Sequence, residues 1–513
     1  MKAMNRILSI AILTATTIVP SLTGSLRAAD KPQANPRKIF VVGTNEAPAW
    51  MVRVDVDKTE RLYVPGENIK VKVLSEEDGY LYLFNVGPDG SIDCLFPNGF
   101  QPDNKITGKQ EVVVGDKFKM GIKAPFGTDL IKAIVTKKPL KSVKAEDLID
   151  KDKSPRTVDE ATARRIMVEA LTGDPDLAKG DKPIDKIRND FKEKNGDEYK
   201  NRLKEFAEHQ VEVITAAKKP DKVAEKRVGL FIGVSDFQDN SIRKLATADK
   251  DASKMAEVMR KDCQFETTYL LTNKEATLSN IRTHMVEKLV QDTRPGDTVV
   301  IYWSGHGGRC ANTDGSSKDG FDEFLVPYDG SLDSNAAVHK SMLLDKTMGR
   351  WVQELDGRKV MVILDTCHSG GFGGAAKGLH ANEESFVKGL GVADKTKNKW
   401  GDIGLEKWSA DSNPFFLAPQ MSRAKSIGQK DAAVLASSTA KQVSFERKDK
   451  ELSVMTYCIV NFVKNNRRTL TLKDVFEGVK KDVSDYVQKN FEGTDQTPVF
   501  SDQLVEAPAK VRP

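Results

Sequence analysis

Two short stretches bring together residue types that do nucleophilic chemistry. DTVVIYWSGHGG sets His306 among glycines just past an apolar run, and KVMVILDTCHSGG does the same for Cys367. A thiolate attacks carbonyl carbon, but free cysteine is mostly protonated near neutral pH. An adjacent imidazole shifts that balance and later protonates a leaving amine. The pair therefore reads as a nucleophile and its base. Flanking glycines let a peptide backbone approach and free the N–H groups of Gly307 and Cys367 to receive a developing oxyanion. Taken singly, each residue has a blander reading, as a structural histidine or a small buried hydrophobe; the joint setting points to catalysis. His368 is a rival base, disfavoured because neighbours on an extended segment point to opposite sides. Asp365, two residues before Cys367, projects to the same side as the thiol.

Such chemistry needs the two runs side by side. From Arg227 onward, RVGLFIGVSDF, TTYLLT, DTVVIYWSG, KVMVILDTC and AAVLASS are apolar runs rich in β-branched residues. Between them ATADKDASKMAEVMRKD, ATLSNIRTHMVEKLVQD and LDKTMGRWVQELDG have helical periodicity. Strands buried on both faces, with helices between them, imply an α/β domain with a mostly parallel sheet over 227–502. Functional groups then gather at the carboxyl ends of the strands, and neighbouring strands would bring His306 and Cys367 to one edge.

Residues 38–217 read as a mainly β domain. IKVKVLS, YLYLFNVGPDGSIDCLFP and EVVVGDKFKMGIKA alternate with period two, with GPDG as a hairpin turn, so an antiparallel sandwich or barrel is expected. VDEATARRIMVEAL is an amphipathic helix inside a charged, solvated insertion, and HQVEVITAA is a strand that returns to the sheet. KKPDKVAEK, at 218–226, is the linker. GYLYLFNVGPDGSIDCLFPN and APFGTDLIKAIVTKKPL resemble a β-rich accessory domain of unknown function (DUF4384-like) found in exported bacterial proteins. No known chemistry comes with that resemblance, so the region is read as a binding or spacer module, with a partner of its own among the expectations.

With 513 residues, 39% hydrophobic and 30% charged, the chain is too long for one core and too apolar for wholesale disorder. Residues 1–28 read as a cleaved secretory signal: a basic start, the apolar run ILSIAILTATTIV, and small residues before Asp30. The run is short for the ~20 residues of an uncleaved anchor. An exported protein, periplasmic or extracellular, is expected. With the three cations of that segment removed, the net charge of +5 falls to +2, which is no nucleic-acid footprint. No later segment reads as a membrane span. Five cysteines make no disulfide scaffold, and their odd number leaves at least one thiol without an intramolecular partner.

YWSGHGG followed by DTCHSGG resembles the caspase-like cysteine peptidases of the metacaspase branch, although the Q-A-C-x-G word of animal caspases is absent. LATADKDA, DGFDEFLVPYD, AVLASSTAKQVSFE and QTPVF extend the resemblance over roughly 227–500. It implies a caspase-like α/β fold and an endopeptidase working through a Cys367–His306 dyad and an acyl-enzyme, with no cofactor required for the chemistry. It also implies that Asp365 and Asp251 line the S1 pocket. Two carboxylates there select a long cation, so a protein or peptide substrate with Arg or Lys at P1 is expected. The plain reading of Asp251 is a helix N-terminal acid. Relatives of this branch are often calcium-activated. Asp319, Asp322, Glu323 and Asp345 are the candidate ligands, set against a solvated acidic loop and against Lys346, which would repel a dication. The basic stretch at 370–430 reads as an autoprocessing or gating segment. A non-catalytic caspase-like scaffold and an Asp-specific peptidase are the alternatives.

Overall fold

Alternating apolar residues build the amino-terminal half. The computed structural model describes residues 45, 48–58, 60–149, 155–219, 225–313, 321–366, 432–438, 442–502 and 509–513. The signal segment 1–28, most of the linker, Asp319, Cys367, His368 and the stretch 370–430 lie outside the described residues. Strands β1 (Val52–Val56), β3 (Val71–Ser75) and β7 (Val112–Val114) form one antiparallel sheet. A second, seven-stranded sheet contains β2 (Leu62–Tyr63), β4 (Gly79–Val86), β5 (Ile92–Phe96), β6 (Lys105–Ile106), β8 (Thr128–Thr136), β9 (Arg156–Thr157) and β10 (Phe206–Thr215). Val54, Val73, Leu81, Leu83, Val211 and Val213 fill the space between the sheets. Tyr82, Phe84 and Ile134, of opposite parity, pack on helix α1 (Glu160–Thr172). The expected insertion helix is therefore half core, and β10 returns to the sheet beside β8 as the alternation in HQVEVITAA predicts.

The run EVVVGDKFKMGIKA departs from its pattern. Only Val112–Val114 pairs as a strand, because Gly115 turns the chain at φ +90, where a Cβ would stand 2.7 Å from the Ile69 carbonyl.

The carboxyl half is a parallel sheet, as its uninterrupted apolar runs require. Its order is β12 (Thr267–Thr272), β11 (Arg227–Gly233), β13 (Thr298–Ser304), β17 (Lys359–Asp365), β18 (Ala433–Ala436) and β20 (Val499–Ser501), with β20 antiparallel at the edge. Side hairpins are made by β14 (Gly307–Ala311), β15 (Phe321–Leu325) and β16 (Leu343–Leu344), and by β19 (Leu470–Thr471) with β21 (Lys510–Arg512). Strand parity sends Ile301, Trp303, Val362 and Leu364 into one layer, and Val300, Tyr302, Met361 and Ile363 into the other. The second layer is roofed by α2 (Ala248–Asp262), α5 (Val454–Asn465) and α6 (Leu472–Asn490). On the first side lie α3 (Asn335–Ser341) and α4 (Asp345–Gln353). Ser304 and Asp365 share the parity of Tyr302 and Ile363, so both must face α2 and α5. Among the described residues no helix is long and apolar enough to cross a membrane.

The two halves are joined by charge. Arg61, following β1, reaches Asp356 at 2.6 Å and Asp55 at 3.0 Å. Arg358 donates to Glu212 of β10 at 2.7 Å, and Gln210 donates to Glu354 at 2.7 Å. The partners from the carboxyl half sit on the turn between α4 and β17, the strand that carries Asp365.

Candidate active site

The end of β13 fixes His306 on three sides. The residue is fully buried, and its Nε2 donates to the carbonyl of Arg243 at 2.7 Å. A carbonyl only accepts, so that nitrogen carries a hydrogen, and in the neutral tautomer this leaves Nδ1 as the basic atom. Phe237 stacks on the ring with centroids 5.3 Å apart. The His306 carbonyl accepts from Val326 N at 3.1 Å. Gly307 opens β14 opposite Leu325. On the adjacent parallel strand, Asp365 is the register partner of Ser304, and the chain is described as far as Thr366. Cys94, Cys263, Cys310 and Cys458 are free and buried. Burial pushes the thiols of Cys94, Cys310 and Cys458 up to about 12 and that of Cys263 to about 11, which favours the protonated thiol at each.

Asp251 and Asp365, far apart in sequence, enter one buried polar cluster at this edge. Asp251, in the first turn of α2, accepts from Ser304 Oγ at 2.8 Å, from Ser453 N at 2.7 Å, from Thr247 Oγ1 at 3.2 Å and from Ser453 Oγ. Asp365 accepts from Ser444 Oγ at 2.7 Å and from Thr456 Oγ1 at 2.6 Å, with Thr456 N at 3.2 Å. Tyr302 closes the group, its hydroxyl 2.5 Å from Thr456 Oγ1. Burial first, then the charges of Asp251 and Asp365, hold that phenol well above its usual range. The helix-terminus reading of Asp251 is thus incomplete, since strand β13 and the start of α5 share its carboxylate.

A family model described as the caspase domain matches residues 226–507, more than half the chain. The chain belongs to the caspase domain family. A second model, a domain of unknown function (DUF4384), matches residues 62–139, which run from β2 through β8. Metacaspase-1 of Meyerozyma guilliermondii is 29% identical over 193 residues, covering 36% of this chain and 43% of that protein. Metacaspase-1A of Aspergillus niger is 32% identical over 155 residues, covering 28% of this chain and 36% of that one. The chain thus spans about two fifths of the length of the curated relatives it matches. A crystal structure of caspase-1 from Spodoptera frugiperda aligns at 12% identity with a TM-score of 0.32, covering 56% of this chain and 95% of that one. The resemblance read from YWSGHGG and DTCHSGG is borne out, and the matched span 226–507 includes the sequence positions Asp251, His306, Asp365 and Cys367.

Of the four candidate calcium ligands, Asp322, Glu323 and Asp345 lie among the described residues. Asp322 and Glu323 are not on a solvated loop: both lie in β15, and Asp322 is buried. Asp322 pairs with Lys346 at 3.0 Å and accepts from Asn312 at 2.8 Å, while Glu323 lies 3.8 Å from Arg309. Asp345 opens α4 and is buried. Calcium takes six to eight oxygens, and among these described carboxylates Lys346 and Arg309 are the cationic neighbours with which an ion would compete.

Sequence reasoning passed over several members of the site. The Arg243 carbonyl carries no residue-type signal. Ser444 and Glu446 stand in the family word AVLASSTAKQVSFE but were given no role. Glu446 is buried and accepts from the amides of Ala246 and Thr247 and from Thr247 Oγ1, steadying the start of α2 beneath Asp251.

Proposed function

We propose that this protein is a cysteine endopeptidase that cleaves after Arg or Lys. Cys367 Sγ gives its proton to His306 Nδ1 and attacks the scissile carbonyl, while the oxyanion is met by the N–H groups of Gly307 and Cys367. The C–N bond breaks as the imidazolium protonates the leaving amine, and water, deprotonated by the same ring, then hydrolyses the thioester. The Arg243 carbonyl supports these roles by fixing the tautomer, much as an orienting acceptor does in other dyads and triads. In this reading residues 1–28 export the enzyme to the periplasm or beyond, and the β module meets a partner there.

The observation that carries the specificity is the meeting of Asp251 and Asp365 in one cluster two residues from His306 in the chain. Hydroxyl and amide donors orient these two carboxylates side by side, and a pair of acids suits a guanidinium or ammonium guest. The test is a pair of reporter peptides ending in Arg or Asp, with Cys367→Ala as control. Turnover of the Arg peptide alone, lost in the variant, is expected. Cleavage of the Asp peptide would overturn the specificity. No turnover of either would favour a binding scaffold.

A further inference from the structure

Four residues beyond His306 the chain again sets a thiol beside an imidazole, this time with a carboxylate. Cys310 of β14, Asp322 of β15 and His339 of α3 offer a sulfur, an oxygen and a ring nitrogen within 4.8 Å of one another. Cys310 Sγ lies 3.6 Å from His339 Nε2, and Asp322 Oδ2 lies 3.8 Å from His339 Nδ1. With Zn–S near 2.3 Å and Zn–N near 2.0–2.1 Å, tetrahedral geometry separates two such ligand atoms by about 3.6 Å. The Cys310–His339 spacing is that of a pair sharing one ion.

We propose that Cys310, Asp322 and His339 form a binding site for a thiophilic divalent cation of the zinc class, distinct from the proposed catalytic dyad and sharing only Asp322 with the calcium expectation. Cys310 and Asp322 are direct register partners across antiparallel strands, so their side chains leave the same face of a fixed frame. Val338, fully buried in the core, anchors α3 and holds His339 over that face. A set of one sulfur, one nitrogen and one oxygen selects zinc-class ions over calcium or magnesium, which want oxygens alone. Three protein ligands leave the fourth position to water. Lys346, paired with Asp322 at 3.0 Å, is the resident competitor, and metal entry displaces its ammonium from that carboxylate. The site lies toward the far end of the β14–β15 pair that follows His306, so occupancy ties β14, β15 and α3 together.

Cobalt(II) is the probe, titrated into full-length Cys367→Ala protein so that the proposed nucleophile cannot supply sulfur. One equivalent is expected to bind with a sulfur-to-cobalt charge-transfer band in the near ultraviolet, bleached by Zn²⁺. Cys310→Ser removes the band. His339→Ala, with its melting temperature measured alongside, weakens Zn²⁺ binding at least tenfold. Lys346→Met tightens it severalfold. Absence of the band in the Cys367→Ala protein, or Zn²⁺ affinity unchanged in His339→Ala, would overturn the site.

Discussion

Buried carboxylates are handled in two opposite ways in this molecule. At the carboxyl edge of the parallel sheet, Asp251 and Asp365 take hydrogen bonds from Ser304, Ser453, Ser444 and Thr456. At the joint between the halves, Asp356 and Glu212 meet the guanidiniums of Arg61 and Arg358. Burial alone would raise the Asp356 carboxyl, yet Arg61, then His209 and Arg53, pull it below the usual range. Hydroxyls orient a carboxylate and leave its charge for an incoming cation, whereas arginine orients and neutralises together. On the proposed specificity one arrangement is a socket; the other is a rivet. Buried ion pairs add little over apolar packing but are costly to break, so the rivet specifies one docking geometry for the β module rather than great strength.

Removing charge while keeping shape separates the two. Asp365→Asn should lower kcat/KM for an Arg-terminated peptide by about 10² to 10³, the range for truncating one partner of a desolvated charge pair, with the melting temperature little changed. Equal loss on an uncharged P1 peptide would show that the carboxylate is structural. Asp356→Asn should do the reverse. It leaves the buried Arg61 guanidinium with Asp55 alone and costs about 3 kcal/mol in denaturant unfolding, with kcat/KM of the folded enzyme unchanged. A stability loss below about 1 kcal/mol would mean the joint is loosely held.

The sheet, its helices and the neighbouring β13 and β17 were legible because buried parallel strands read as unbroken apolar runs, and Gly-rich turns after them mark the catalytic edge. The acid pair was legible only through family words. Nothing in the spacing of Asp251 and Asp365 shows that Ser453 and Thr456, about 200 and 90 residues away, share them. The joint was illegible: Arg61, Gln210, Glu212, Asp356 and Arg358 look like surface charge in sequence, and tertiary burial alone makes partners of them. The zinc-class cluster escaped notice for a similar reason. Cys310 and Asp322 meet by strand register, and His339 arrives from a helix that the sequence reading did not single out.

Titration sharpens the contrast from the side of the joint. Glu354 packs there against Gln210 and is faced by Lys132, Glu208 and Glu212. Burial, opposed by Lys132, raises its carboxyl to about 7. A carboxyl raised above its unfolded value makes the folded state bind more protons, so stability falls as pH rises from about 4.5 through 7. His209, faced by Asp356, Arg53, Arg61 and Lys132, has the opposite slope. Burial lowers it to about 4, its Nδ1 accepts from Val54 N at 3.2 Å, and its contribution is lost as pH falls below about 6.5. The two slopes oppose each other in the wild-type chain. Glu354→Gln removes one of them, so its stability relative to wild type should rise by about 2 kcal/mol between about pH 5 and about pH 8. A difference independent of pH would mean that Glu354 is solvated and the joint open.

The finest test concerns the turn that carries the rivet. Gly357 sits at φ +81, and a Cβ there would stand 2.6 Å from Arg61 Nη1 and 3.1 Å from its Cζ. That guanidinium is held by two carboxylates and cannot swing aside as a solvent-exposed tip would. Gly66, at φ +92, has nothing within 4 Å of its Cβ position. Alanine at Gly66 therefore reads backbone strain alone, about 1 kcal/mol, and alanine at Gly357 reads strain plus displacement of Arg61. The excess of Gly357→Ala over Gly66→Ala in unfolding free energy should be about 1 kcal/mol, and it should vanish when both are measured in an Arg61→Ala background. An excess that survives Arg61→Ala would place the crowding on Pro295, whose Cβ is 3.1 Å away, and would remove the guanidinium from the account of why this turn is glycine.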